Sequence, residues 1–184
     1  HKTGVDDPSG TAAIAKGNAV VGTPGWAMVH HGSNAILEDN VVFDFHGSGI
    51  VAEDGDELGA WRNNITIKGT GISDLQSKNN SFGSNKPRLK RFDMGFGGEG
   101  YWVQGAGLVE MENNIAISTG TGINLFGGGD GGDAARPVNE ISTKNLPAAL
   151  RDIAPGEDTV SVTQVPLTQF SGFENFYSGQ GIIF

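Results

Sequence analysis

The sequence predicts an all-β chain wound as a parallel β-helix, with three strands per coil and about 22–24 residues per coil. Three observations predict it. An Asn, an alternating apolar strand, a Gly-containing turn and a second apolar strand recur from Asn18 (NAVVGTPGWAMV), Asn40 (NVVFDFHGSGIVAE), Asn64 (NITIKGTGIS) and Asn114 (NIAISTGTGINLF), with a weaker copy at Asn175 (NFYSGQGIIF). Asn18 and Asn40 are 22 residues apart, and Asn40 and Asn64 are 24 apart. With the Asn residues in register, three strand columns align together, which a two-sheet sandwich with Asn at ordinary turns does not require.

The first column follows each Asn. Its +1 and +3 positions read Ala19/Val21, Val41/Phe43, Ile65/Ile67 and Ile115/Ile117, and are expected to face inward. The +2 and +4 positions, Val20/Gly22, Val42/Asp44, Thr66/Lys68 and Ala116/Ser118, are expected to face out. The second column begins at Gly25, Gly49, Gly100, Gly122 and Gly181, each followed by an apolar run. The third precedes each Asn: Ile36–Glu38, Ala60–Arg62 and Glu110–Glu112. Leu37, Trp61 and Met111 are expected inward, with Glu38, Arg62 and Glu112 stacked outside in alternating sign. Coils about 4.8 Å apart bring successive Asn amides within bonding reach, so an inward Asn ladder is expected at that corner.

The 184 residues read as a single domain, 1–184, with insertions near 69–99 and 127–164. The first insertion carries the basic stretch Ser77–Arg91. The second opens with GGGDGGD (127–133) and holds a short helix expected near Leu146–Ile153, with Pro147 in its first turn. Long loops on a rigid solenoid usually mark its working face. A first residue that is His1 and a last, Phe184, inside an apolar strand are read as the ends of a piece of a longer chain.

Composition narrows the function. Thirty Gly and 18% charged residues exclude a coiled coil or a disordered acidic chain. Without Cys there is no disulfide framework, thiol nucleophile or Cys-zinc site. A net charge of −9 argues against nucleic acid and anionic membrane as partners, and repels a polyanion unless local cations or bound metal offset it. No apolar run reaches the roughly 18–20 residues of a membrane span.

Two segments resemble a known group: HHGSNAILEDNVVFDFHGSGIVAEDGDELGAWRNNITIKGTG and GEGYWVQGAGLVEMENNIAISTGTGINLFG. They look like the right-handed parallel β-helix region of bacterial proteins that carry a G8 domain, which are related to the vertebrate cell-surface and cell-migration-inducing hyaluronidases. The most specific piece runs from Val51 through Glu57 to Asn64. The resemblance implies a right-handed coil, a secreted or cell-surface location, and a polysaccharide or cell-surface glycan as partner. In the vertebrate members it implies calcium-dependent hyaluronan depolymerisation. It carries fold further than reaction.

Aligning Gly25 with Gly49 places His30 beside Asp54 and sets Glu53 level with Gln104 and Val29. Trp102 falls at an outward position in the column of Val51 and Asn124. One exterior patch is therefore expected, with His30, Glu53 and Asp54 as candidate catalytic groups and Trp102, Gln104, His31 and Arg62 as candidate substrate-binding groups. An aromatic ring stacks on a pyranose face, carboxylates and imidazole move protons, and amides bond hydroxyls. Asp54, Asp56 and Glu57 are candidate ligands for Ca²⁺, a cation that takes hard oxygens at short spacing, although the stretch is not an EF-hand loop. A solvated acidic turn and a structural His pair are the plainer readings of the same residues.

Two functions follow from these residues. One is a carbohydrate-related module that binds or depolymerises an acidic polysaccharide, as hydrolase or lyase. The other is a non-catalytic surface, adhesive or structural β-helix that packs against the rest of its parent chain or another subunit, at the open C-terminal edge.

Overall fold

The computed structural model describes residues 10–71, 97–126 and 140–183. The basic stretch 77–91 and the GGGDGGD loop lie outside them. With strands numbered in chain order, sheet A contains β1 (Ala13–Lys16), β4 (Asn34–Glu38), β7 (Leu58–Arg62), β10 (Val109–Glu112) and β15 (Phe170–Ser171). Sheet B contains β2 (Ala19–Thr23), β5 (Val41–Phe45), β8 (Ile65–Gly69), β11 (Ile115–Ile117) and β16 (Glu174–Phe176). Sheet C contains β3 (Met28–His30), β6 (Ile50–Ala52), β9 (Tyr101–Gln104), β12 (Thr121–Phe126) and β17 (Gln180–Ile183). Pairing within the three sheets is parallel throughout, each strand bonding the equivalent strand one coil away. The chain is thus a right-handed parallel β-helix of five rungs, three strands to a rung.

Two residues per rung make the corners by entering left-handed backbone. Before sheet B these are Gly17, Asp39, Asn63, Asn113 and Gly172; within or just after its strands they are Gly22, Asp44, Lys68, Ser118 and Tyr177. Gly, Asn and Asp tolerate that region at little cost, which explains their recurrence at the first corner.

The Asn ladder runs through four rungs. The side-chain amide of Asn18 donates to Asn40 Oδ1, that of Asn40 to Asn64 Oδ1 and that of Asn64 to Asn114 Oδ1, each at 2.9 Å. The same oxygens also accept the backbone N–H of the Asn one rung earlier. Asn175 is not the fifth member. Ile115 pairs with Glu174, so Phe173 stands at the ladder position and Asn175 is level with Ala116. Phe173 closes the column by stacking on Phe170 and meeting Tyr101 edge-on, each at 5.8 Å between centroids.

The strand parity expected for sheet B is reversed. Val42, Thr66 and Ala116 are fully buried, whereas Val21 is 67% exposed and Phe43 40%. The physical reason is space. A Cβ on Gly49 would meet Thr66 Cγ2 at 2.7 Å, and one on Gly100 would meet Ala116 Cβ at 2.9 Å. The interior is narrow where Thr66 and Ala116 face Gly49 and Gly100, so small side chains fit inward at those positions and their bulkier neighbours turn out, whereas Phe45 at the end of β5 is buried. In sheet A, Leu37, Trp61 and Met111 do point inward and are buried. Outside them Lys16 bridges to Glu38 at 2.9 Å, and Arg62 to Glu110 and Glu112 at 2.7 and 3.3 Å.

The described part of the second insertion forms a lobe. β13 (Glu140–Ser142) and β14 (Thr159–Ser161) pair antiparallel around short 3₁₀ turns at Thr143–Asn145 and Ala148–Ile153, the latter following Pro147 where a short helix is expected. Ile141, Leu146, Val160, Val162 and Val165 pack with Leu108 of the helix in a cluster separate from the main core.

Candidate functional site

The acidic turn Glu53–Glu57 links β6 of sheet C to β7 of sheet A. Its position relative to the first rung differs from expectation. Met28 pairs with Ile50 and His30 with Ala52, so Gly49 is level with Ala27 rather than Gly25. His30 is therefore not beside Asp54. It is 2% exposed and faces the interior.

The His30 ring is fixed by two bonds. The Trp61 indole N–H, which can only donate, reaches Nδ1 at 3.2 Å, so Nδ1 accepts. Nε2 then carries the proton and donates to the Ser33 carbonyl at 2.8 Å. Burial lowers the imidazole below its ordinary value, partly offset by the Ser33 bond. His30 is a neutral core residue that ties β3 to Trp61 of β7.

His31, the next residue along, faces solvent. Its Nε2 lies 3.4 Å from Glu53 and its Nδ1 3.2 Å from Asp54. Because Ala52 pairs with Val103, Glu53 falls level with Gln104 as expected, while Val29 pairs with Val51 instead. His31, Glu53 and Gln104 thus form one line across three rungs at the exit of sheet C.

Glu57 is wholly buried. Its Oε1 accepts the backbone N–H groups of Asp54, Glu53 and Gly32 at 2.8, 3.1 and 3.3 Å, and its Oε2 accepts that of Gly55 at 2.8 Å. Burial pushes the carboxyl up to about 7, against the pull of these donors and with help from the Asp56 charge. Glu57 is the internal clamp of its own turn. Gly55 completes the turn with φ +87°, close against Val162 of the lobe.

Asp54, Asp56 and Glu57 each offer an oxygen within 4.8 Å of the others. Oε1 of Glu57 is saturated by three N–H donors, which leaves Oε2 with one lone pair for a cation. The set supplies three oxygens, where calcium takes six to eight.

Trp102 holds the outward position expected of it, level with Val51 and Asn124, but it is 5% exposed. Trp26 lies against it, ring centroids 5.6 Å apart. The more accessible ring is Trp26, half-buried with its indole N–H unbonded, a residue the Gly25 alignment did not single out. Arg62 is at the far end of β7 from the acidic turn and bridges Glu110 and Glu112. Of the residues read as one patch, His31, Glu53, Asp54 and Gln104 come together at the surface; His30, Trp102 and Arg62 do not join them.

Among the described residues, no helix is long and apolar enough to cross a membrane. Compared with protein-family models, with curated proteins and with solved structures, the chain matches none.

Proposed function

We propose that this chain is a non-catalytic β-helix module that acts by presenting surfaces on a rigid stack. One observation carries the reading: the imidazole expected to act as base is a core residue with both ring nitrogens bonded, at Trp61 and Ser33. The buried carboxyl of the acidic turn is likewise spent on backbone N–H groups of that turn. Glycans of the acidic, secreted kind implied by the resemblance remain the proposed ligand class, with His31, Glu53, Asp54 and Gln104 as the contact rim. Calcium is part of the proposal only as an ion that Asp54, Asp56 and Glu57 Oε2 would hold.

A second reading rests on His31, an exposed imidazole held between two carboxylates, which is a geometry for moving a proton. One assay separates the two. The chain is incubated with hyaluronan and other acidic glycans, with calcium and with chelator, and new chain ends are measured. The module reading expects none under any condition. New ends that vanish in His31→Ala would reject it in favour of depolymerisation.

A further inference from the structure

The lobe carries a cleft of about 350 Å³, lined by Thr143, Lys144, Arg151, Ala154, Gly156 and Glu157. That volume is at the low end of small-molecule sites, which run from roughly 300 to 1,000 Å³. Lys144 lies in the first 3₁₀ turn, Thr143–Asn145, and Arg151 in the second, Ala148–Ile153. Between the two turns Leu146 packs into the lobe's apolar cluster. From this geometry we infer that the cleft binds the carboxylate of a small organic acid, with Arg151 and Lys144 as its two cations.

Three observations carry this assignment. The first is where positive charge is left without a partner. Among the described residues, Lys16, Arg62 and Lys68 each bridge to a carboxylate, at 2.9, 2.7 and 3.0 Å. Lys144 and Arg151 are the described Lys and Arg side chains with no ion pair, and both line this cleft. Acids are not lacking nearby. Asp152, Glu157 and Asp158 belong to the same connection between β13 and β14, and none bridges to either cation. In a chain of net charge −9, two cations gathered on one cleft are a local attraction for an anion from outside.

The second is preorganisation. Arg151 Nε donates to the Leu146 carbonyl at 3.2 Å. That bond fixes the plane of the guanidinium and leaves its two Nη groups, a fork that matches the two oxygens of a carboxylate. The opposite wall is tied as well. The Thr143 N–H donates to the Asp158 carbonyl at 3.0 Å, and its hydroxyl donates to the Glu157 carbonyl at 2.8 Å. The Glu157 N–H donates to the Ala154 carbonyl at 3.2 Å, closing a turn through Gly156 at φ +85°. The walls are thus bonded before a ligand arrives, and little ordering is left to the binding step.

The third is charge number. Glu157 on the wall offsets one of the two cations, so the cleft has one positive charge to neutralise. A carboxylate monoanion does so, whereas a phosphate dianion would bring a second negative charge beside Glu157. Free organic acids and the uronate units of an acidic glycan share this chemistry. The cleft has no residue in common with the His31 rim, so it can bind whether or not the rim does.

Titration of the whole chain with acetate, glucuronate, glucose and inorganic phosphate, followed by amide chemical shifts, tests the assignment. Saturable shifts confined to residues 143–157 are expected with acetate or glucuronate at roughly millimolar Kd, and none with glucose. Lys144→Gln, at an exposed position, and Arg151→Lys, which keeps the charge and removes the fork, should each weaken binding at least about fivefold. Glu157→Gln should tighten it and admit phosphate. Equal affinity for acetate and glucuronate identifies free organic acids as the ligand, and glucuronate at least about tenfold tighter identifies a uronate unit; either result supports the cleft. No saturable shift at 143–157 up to about 50 mM would overturn the inference. So would shifts that glucose reproduces, an affinity unchanged in both Lys144→Gln and Arg151→Gln, or phosphate binding the parent chain as tightly as carboxylate.

Discussion

Glu57 and His30 are two buried titratable side chains with opposite demands on the proton, and each contributes to how stability follows pH. Burial raises the Glu57 carboxyl from 4.5 to about 7, so the folded chain holds a proton that the unfolded chain has released. Its contribution is full below about 4.5 and is lost as pH rises through about 7. Burial lowers the His30 imidazole from 6.5, so the unfolded chain takes up a proton there that the folded chain refuses. That contribution is present above 6.5 and is lost as pH falls. Between 4.5 and 6.5 the two slopes oppose each other. Above 6.5 Glu57 acts alone. Urea unfolding should therefore show a weaker pH dependence between 4.5 and 6.5 than Glu57 alone would give, and a loss of about 1 kcal/mol between pH 6.5 and 8, and Glu57→Gln should abolish that loss. A stability that climbs through this range in the parent chain would contradict the assignment of Glu57. Neither residue's role was legible in the sequence. His30-His31 shows two adjacent imidazoles, and only the pleat decides which one turns in. The ladder Asn residues held the ruler: Met28 is ten residues from Asn18 and Ile50 ten from Asn40, which gives the true register that Gly25 obscured.

Strands of sheet A are held at their spacing by a residue with no side chain. Gly59 sits inside β7 with φ +119°, paired to Ala35 on one side and Val109 on the other. A Cβ there would overlap the carbonyl oxygen and backbone of Ala35 in β4. Gly59→Ala should part β4 from β7 and cost roughly 3 kcal/mol or more. Gly156→Ala in the lobe also places a side chain at positive φ, +85°, but with open space around it, and should cost only about 1 kcal/mol. Equal losses in denaturant midpoint for the two variants would mean that backbone strain, not the β4–β7 approach, sets the effect. At this scale the sequence was readable where one chemistry demands one residue. Four stacked amides need Asn, and three columns need three alternating runs. It was not readable where both faces of a strand accept apolar groups. In β5 both alternate sets of VVFDF contain apolar residues, and in β8 the apolar set of ITIKG, Ile65 and Ile67, is the outward one, so the pattern points the wrong way, and a one-residue shift exchanges the faces. The sign comes from Gly49 and Gly100 across the interior, which stand close against Thr66 and Ala116.

Among the described residues there are two apolar clusters of unequal standing, and they should come apart in order. The main one runs through the stack and is continuous with fifteen paired strands, so each rung is supported by the next. The other lies under the lobe, where Ile141, Leu146, Val160, Val162 and Val165 pack with Leu108 and Leu58 from the coils. One two-stranded antiparallel ladder and isolated 3₁₀ turns supply the lobe's backbone bonding. Segments with few buried contacts and short ladders open below the global unfolding free energy. Leu146 is 1% exposed at the centre of the smaller cluster. Leu146→Ala should destabilise the lobe by about 2–4 kcal/mol through the cavity it leaves, and the lobe is expected to open while the stack stays folded. Hydrogen exchange would then accelerate across residues 140–165 by a hundredfold or more at an unchanged global unfolding midpoint. Exchange in β5, β8 and β11 would stay at the parent rate. The acidic turn is the connection between the two units, because Gly55 and Gly105 both lie against Val162. Opening the lobe should therefore also free the Glu53–Glu57 segment on that side, giving it faster exchange than β6, from which it leaves. If instead the variant lowers the global midpoint and every strand exchanges faster together, lobe and stack are one cooperative unit, joined through the contact of Val162 with the acidic turn.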